Sequence, residues 1–308
     1  MTPTRRGRRS RPLLVALLLV SVALATATWS LGRDATPVPS PSAPELDALI
    51  DELLADLSSR DGSYRSPTAS QRIVVASAAA AAGSGDIQRA RRLAEEIGYE
   101  VLIAVADGEP AVVLRERDAG GRGWGLFVFG TGDRSAVLVE VPHPIADLQT
   151  AEIGLGLFIE TRASALLIAG AHRDAAPAGS ADVAHRRDTV FHAVHEHLLD
   201  EDVLVVQPHG FASSDDRPFE AVVSAGTRTP TAVATDVGEV IASGGARVCL
   251  YGEEKCDDLG GTSNQQGITA RRLGAFFLHL EFDPALRAPG APRKRLIGDL
   301  AAALRRLS

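Results

Sequence analysis

Eight histidines occur in this 308-residue chain, and all of them lie between His143 and His279. Two stand just beyond apolar runs and beside proline: the run 137–141 (VLVEV) leads into Pro142-His143-Pro144, and the run 203–206 (VLVV) into Gln207-Pro208-His209-Gly210. A third run, 275–278 (AFFL), leads into His279-Leu280-Glu281. Three short strands ending in this way deliver two imidazoles and a carboxylate to one edge of a sheet, which is how a catalytic zinc site is often built.

Positioning those side chains requires a sheet, and the rest of the chain supplies one. The composition, 45% apolar but only 5% aromatic, implies a core of alanine, valine and leucine, in a chain long enough to bury it. Leu46, Leu49, Leu53, Leu54 and Leu57 recur at helical spacing and predict a helix that stops before Asp61-Gly62. Further helices are predicted over 70–82 and 86–97, the second closed by Gly98 and followed by a strand at 100–105. Segments 111–114 and 124–129, with the Gly-rich turn 119–123 between them, read as a β-hairpin with a long loop. Beyond it, strands predicted at 137–141, 165–170, 203–207, 220–224, 247–251 and 275–281 alternate with helices near 150–160, 182–199, 232–243 and 292–307. This alternation predicts an α/β fold with a mixed, largely parallel central sheet flanked by helices, its site at the carboxyl ends of the strands. Residues 131–308 form the expected catalytic core; 45–130 either join its sheet or precede it as a small subdomain.

The N-terminus is of another kind. Arg5, Arg6, Arg8, Arg9 and Arg11 precede an uncharged, mostly apolar stretch over 13–31, so 1–31 reads as an export signal or a membrane anchor. Residues 32–44 are a Pro/Ser-rich linker. Loss of residues 1–31, which hold five arginines and no acidic residue, takes the net charge from −7 to −12. An acidic body argues against a nucleic-acid partner, and membrane association is expected only through an uncleaved N-terminal segment. In an exported chain the only two cysteines, Cys249 and Cys256, predict a local disulfide.

Taken in order, the strand into His143 with a carboxylate nearby, the later strand into His209 and the last strand into Glu281 resemble the zinc carboxypeptidase superfamily and its amidohydrolase relatives. Those relatives include succinylglutamate desuccinylases, N-formylglutamate amidohydrolases and phage poly-γ-glutamate hydrolases. The resemblance spans residues 130–285. It implies one zinc ion held by His143 and His209, with Glu281 as general base. One departure stands out: the family carries H-x-x-E, whereas this chain has His143-Pro-Ile-Ala-Asp147. Asp147, reaching back across one turn, is the first candidate for the carboxylate ligand. Glu152 is the second, unless it serves the first turn of the next helix. The resemblance also implies an arginine between the two histidine motifs, holding a substrate carboxylate or polarising the carbonyl. Arg173 fills that place, or else forms a salt bridge with Asp174 or Asp182.

Several further residues carry expectations. A helix through 181–199 puts His185, Asp188, His192 and His195 on one side, facing solvent or the cleft, and Val183, Val190, Val194 and Leu198 on the core side. Asp182 and His185 are alternative ligands there. The polar loop 259–267 offers Asn264 to substrate or is simply a turn. Asp283 competes with Glu281. No G-x-S-x-G elbow is present, which weighs against a serine nucleophile. Together these features lead to an exported zinc hydrolase acting on a peptide-like or acyl-amino-acid substrate. The alternative is a non-enzymatic envelope protein that binds a peptide or glycan on the same fold.

Overall fold

A computed structural model of the chain describes residues 37, 39–40, 42–58, 64–117, 121–214 and 216–307. The expected signal or anchor over 1–31, part of the linker, the Asp61-Gly62 helix stop and part of the turn over 119–123 lie outside the described residues. Among the described residues, no helix is long and apolar enough to cross a membrane.

The helices are α1 (Leu46–Ser58), α2 (Ala69–Gly83), α3 (Ile87–Glu96), α4 (Thr150–Glu160), α5 (Val190–Leu198), α6 (Ala232–Ser243), α7 (Gln265–Leu273), α8 (Pro284–Arg287) and α9 (Ala291–Leu307). The strands are β1 (Tyr99–Ala106), β2 (Glu109–Glu116), β3 (Leu126–Gly130), β4 (Ser135–Val141), β5 (Ala163–Ile168), β6 (Leu204–Gly210), β7 (Ala221–Ser224), β8 (Val248–Leu250) and β9 (Phe276–Phe282). Local chemistry sets many of the helix starts. Thr68 and Gln71 form a reciprocal capping box on α2, and Asp86, Thr189, Thr231 and Asn264 cap α3, α5, α6 and α7 through their side chains.

The nine strands among the described residues join one sheet in the order β1-β2-β3-β5-β4-β6-β9-β7-β8, so residues 99–130 belong to the same sheet as the rest. The sheet is mixed rather than largely parallel: β4/β5, β4/β6, β6/β9 and β7/β8 are parallel, while β1/β2, β2/β3, β3/β5 and β7/β9 are antiparallel. The hairpin strands and the reversed β7 account for the difference. Alternation along the strands divides the core between two faces. Val137, Val139 and Val141 of β4, Val206 of β6 and Leu278, Leu280 and Phe282 of β9 pack with residues of α1, α4, α6 and α9. Leu138, Val205 and Phe277 face the other way, with residues of α2, α3, α5 and α7. The second face also carries the chemistry, because residues 140, 207, 209, 279 and 281 share the parity of 138, 205 and 277.

The expected long helix over 182–199 is not one helix. A 3-10 turn covers Val183–His185, Arg186 is extended, and α5 begins only after the Thr189 cap. The bidentate ion pair of Arg186 with Asp188 occupies the break. His192 and His195, expected on a polar face, are instead buried at 3% and 0% exposure, with Val190, Phe191 and Val194. The helix α7 lies where the sequence reading ended in a loop: its nine residues, QQGITARRL, lack a strong apolar period, and only the Asn264 cap and the left-handed Gly274 mark its ends.

Candidate metal centre

At the carboxyl ends of β4 and β6 the chain brings three donors together. One donor atom from each of His143, Asp147 and His209 lies within 4.8 Å of the others, and all three residues are buried. Asp147 gets there through a single turn: its N–H bonds the His143 carbonyl at 2.8 Å, so residues four apart stack one above the other. The turn is closed by Thr150, whose hydroxyl donates to the Asp147 carbonyl at 2.7 Å. A spacing of four with the shorter aspartate thus places a carboxylate over His143.

The two imidazoles are oriented by bonds on their far nitrogens. His143 Nε2 meets Asp182 Oδ1 at 2.9 Å, and His209 Nε2 meets Gln207 Oε1 at 3.2 Å. With a proton on each Nε2, both Nδ1 lone pairs face inward, the tautomers being assigned from these partners. His143 Nδ1 lies 3.4 Å and His209 Nδ1 3.2 Å from the same Asp147 Oδ2. Donors held about 2.0–2.1 Å from a tetrahedral ion stand about 3.3–3.4 Å apart, so the spacing suits a small divalent cation. Among the described residues His143 Nδ1 also has no hydrogen-bond partner although it is buried, as expected of an atom that serves as a ligand.

Electrostatics point the same way. Burial opposes ionisation of Asp147, but the imidazoles of His143 and His209 beside its carboxylate hold its pKa well below the usual carboxylate range. Burial, helped by the neighbouring His279, lowers His209 to about 4 and keeps it neutral. For His143 burial is outweighed by Asp147 and Asp182, and its pKa is raised. A cation bound there would take the place of a proton.

Behind His209 runs a buried polar chain. Gln207 Oε1 also accepts from Asn264 Nδ2 at 2.7 Å, Gln207 Nε2 donates to Glu140 Oε2 at 2.7 Å, and Glu140 Oε1 meets His195 Nδ1 at 2.7 Å. The Glu140 carboxylate only accepts, so it fixes the amide with its oxygen toward His209. Asn264, expected to offer its amide to substrate, is corrected by this arrangement: it is 2% exposed, and its Oδ1 caps α7 at the Gly267 N–H. Loop polarity in the sequence could not reveal that the amide was needed inside.

Glu281 lies beside the cluster, paired in register with His209 across β6 and β9. His279 Nε2 meets its Oε1 at 3.1 Å, whereas Oε2 is buried with no partner among the described residues. His279 itself packs against the His209 ring at 4.3 Å between centroids. Its role went unread in the sequence, although period-two alternation places it on the same face as Glu281. Asp283 is the N-cap of α8, accepting from Leu286 N–H at 2.9 Å, so it does not compete with Glu281. Glu152 lies in the first turn of α4, outside the three-residue group. Asp182 and His185 stand behind His143 rather than among the donors: Asp182 Oδ2 accepts from Arg173 Nη2 at 2.9 Å and meets His185 Nδ1 at 3.0 Å. Burial opposes Asp182 ionisation too, but its histidine partners, His143 first, hold its pKa far below normal. Cys249 and Cys256 are joined in a disulfide at the β7–β8 edge.

No family model and no curated protein matches the chain. Among solved structures it is similar to a bacteriophage poly-γ-glutamate hydrolase, at 15% identity and a TM-score of 0.38, covering 56% of this chain and 82% of that one. It is similar to the N-formylglutamate amidohydrolase of Ralstonia eutropha JMP134 at 11% identity and a TM-score of 0.37, covering 60% and 96%. An aspartoacylase family protein of Mesorhizobium loti follows at 11% and 0.35, covering 66% of each chain. With every one of these TM-scores below 0.5, the chemistry rests on the site's own geometry.

Proposed function

We propose that this chain is an exported zinc-dependent hydrolase that cleaves an amide or peptide bond, of γ-glutamyl or acyl-amino-acid type. The observation that carries the reading is the convergence of His143, Asp147 and His209, with both imidazoles turned so that Nδ1 faces the shared carboxylate oxygen. Zinc, when bound, supplies a polarised carbonyl and a water whose pKa falls to about 7. His143, Asp147 and His209 hold the ion; Asp182 and Gln207 fix the imidazoles. Glu281, through the unpartnered Oε2, takes the proton of the attacking water and passes it to the leaving amine. His279 steadies that carboxylate through Oε1. Arg173, held by Asp182 and partly exposed, presents its remaining guanidinium N–H groups to a substrate carboxylate or to the carbonyl oxygen. The Cys249–Cys256 disulfide supports an oxidising, extracytoplasmic setting, and the basic-then-apolar segment 1–31 supports a secreted or membrane-anchored chain.

The test is zinc content together with turnover of N-acyl-amino acids and γ-glutamyl peptides. His143→Ala and His209→Ala are expected to lose both zinc and hydrolysis, and Glu281→Gln to keep zinc and lose hydrolysis. Wild-type protein that takes up no zinc when reloaded removes the hydrolase and leaves the non-enzymatic peptide- or glycan-binding reading.

A further inference from the structure

Arg287 is 7% exposed, and its hydrogen bonds among the described residues all go to backbone carbonyls. Nε donates to Phe282 O at 3.0 Å, Nη2 to Phe211 O at 3.2 Å, and Nη1 to Leu148 O. Each acceptor sits at a junction of the metal centre. Leu148 follows Asp147, Phe282 follows Glu281, and Phe211 comes two residues after His209. A single guanidinium therefore spans the ends of three separate segments that carry a ligand or the base. Its planar fork offers five N–H groups in fixed directions, which an ammonium does not.

Two local features serve this placement. An ideal Cβ at Gly210 would lie 2.6 Å from Arg287 Cζ, so the guanidinium packs directly on bare backbone beside His209. Arg287 also arrives on α8, whose start is fixed by the Asp283 cap and by Pro284 in the first turn. Glu281 and Arg287 are thus held by one continuous unit: strand end, cap, short helix.

We propose that Arg287 is a positioning residue for the hydrolytic site. It sets the spacing of Asp147, His209 and Glu281 by tying together the backbones that bear them. This rests on the hydrolase reading, but it can be tested apart from it.

The variants are Arg287→Gln, Arg287→Lys and Arg287→Ala. Gly210→Ala is a second route: it leaves the arginine in place and pushes its guanidinium away. Zinc affinity by chelator competition, kcat and KM, and the visible spectrum of the cobalt-substituted protein are measured on each folded variant. Zinc affinity and kcat are expected to fall at least tenfold with KM changed less than threefold, and the cobalt spectrum to shift. Lysine is expected to rescue little, and methylguanidinium added to Arg287→Ala to restore part of kcat. A readout free of metal is the imidazole NMR spectrum of the zinc-free protein, in which the His143 and His209 signals are expected to move or double in the variants. Variants that lose only thermal stability, with zinc affinity, cobalt spectrum, kcat and imidazole signals as in wild type, overturn the proposal. Should wild type bind no zinc, the hydrolase reading falls, and the imidazole signals alone decide for or against the positioning role.

Discussion

Replacing Asp182 tests the metal centre without touching a ligand. Asp182→Ala removes the 2.9 Å partner of His143 Nε2. It leaves that nitrogen unpaired on a ring that is 3% exposed, a loss of about 1–3 kcal/mol for a buried donor. The imidazole is then free to turn or to take the other tautomer. Outer partners of this kind contribute 10- to 100-fold to metal affinity, or about 1.4–2.8 kcal/mol, in agreement with the first figure. Asp182→Asn retains an oxygen for Nε2–H but loses the charge, which roughly halves the strength of such a bond. The expected order of zinc affinity is therefore wild type, then Asn, then Ala. The assay is competition with a chelator of known affinity at pH 7.5 and again at pH 6. In wild type Asp182 also raises the His143 pKa, and zinc must displace that proton, so the gap between wild type and Asp182→Ala is expected to narrow as pH falls. An alanine variant within twofold of wild type at pH 7.5, or one binding more tightly than the asparagine variant, refutes the orientation argument.

Other outcomes follow from the same structure. Glu281→Gln is expected to keep zinc and lower kcat by about 10²- to 10⁴-fold; retained turnover gives the base to another group. Acid is expected to destabilise the fold through His192, whose pKa burial and the nearby His195 lower to about 3. The unfolded chain binds this proton below its ordinary pKa of about 6.5 and the fold does not, so the stability is complete above that pH, is lost as pH falls, and is down by about 2 kcal/mol at pH 5. Urea unfolding at pH 7 and pH 5 should show a shallower pH dependence in His192→Gln; parallel behaviour counts against a neutral buried imidazole. Replacing Cys249 and Cys256 together by serine opens the loop of sequence separation 7 and is expected to lower stability by about 2–3 kcal/mol, read by the same denaturation. An unchanged midpoint means that the closed loop adds nothing.

Much of the frame was legible because its signals are local. Apolar runs at period two marked the strands, and helix caps and glycines marked most of the turns, so β4, β6 and β9 and the residues at their ends could be read from the sequence. The break before α5 was not legible. The residues 181–199 fit a helical period well enough, and what divides them is the Arg186–Asp188 ion pair and the Thr189 cap, a competition between local hydrogen bonds that periodicity does not register. An unbroken helix puts His192 and His195 on a polar face toward solvent or the cleft, whereas the structure buries both. Each is buried because it has a buried partner: Gln266 Nε2 lies 3.1 Å from His192 Nδ1, and Glu140 lies 2.7 Å from His195 Nδ1. Those partners are 74 and 55 residues away in sequence, and no spacing rule reaches that far.

Glu140 shows what the hidden part of the site is for. A carboxylate with 0% exposure near the end of an apolar strand is costly unless it is bonded, and here it receives bonds from both directions. Its effect reaches the metal centre only through Gln207, whose amide it holds with the oxygen toward His209 Nε2. Leucine at 140 would suit the core better by transfer energy alone, yet it would leave the orientation of the Gln207 amide to the Asn264 bond, making it easier for the amide to flip and offer an N–H to His209. The flipped amide would favour the tautomer with Nε2 as acceptor and a proton on Nδ1, the nitrogen that must be bare to take a cation. Glu140→Leu is therefore expected to lower zinc affinity more than Glu140→Gln, which can keep one acceptor toward Gln207. Equal affinity in the two variants would show that the buried carboxylate serves the fold and not the ligand.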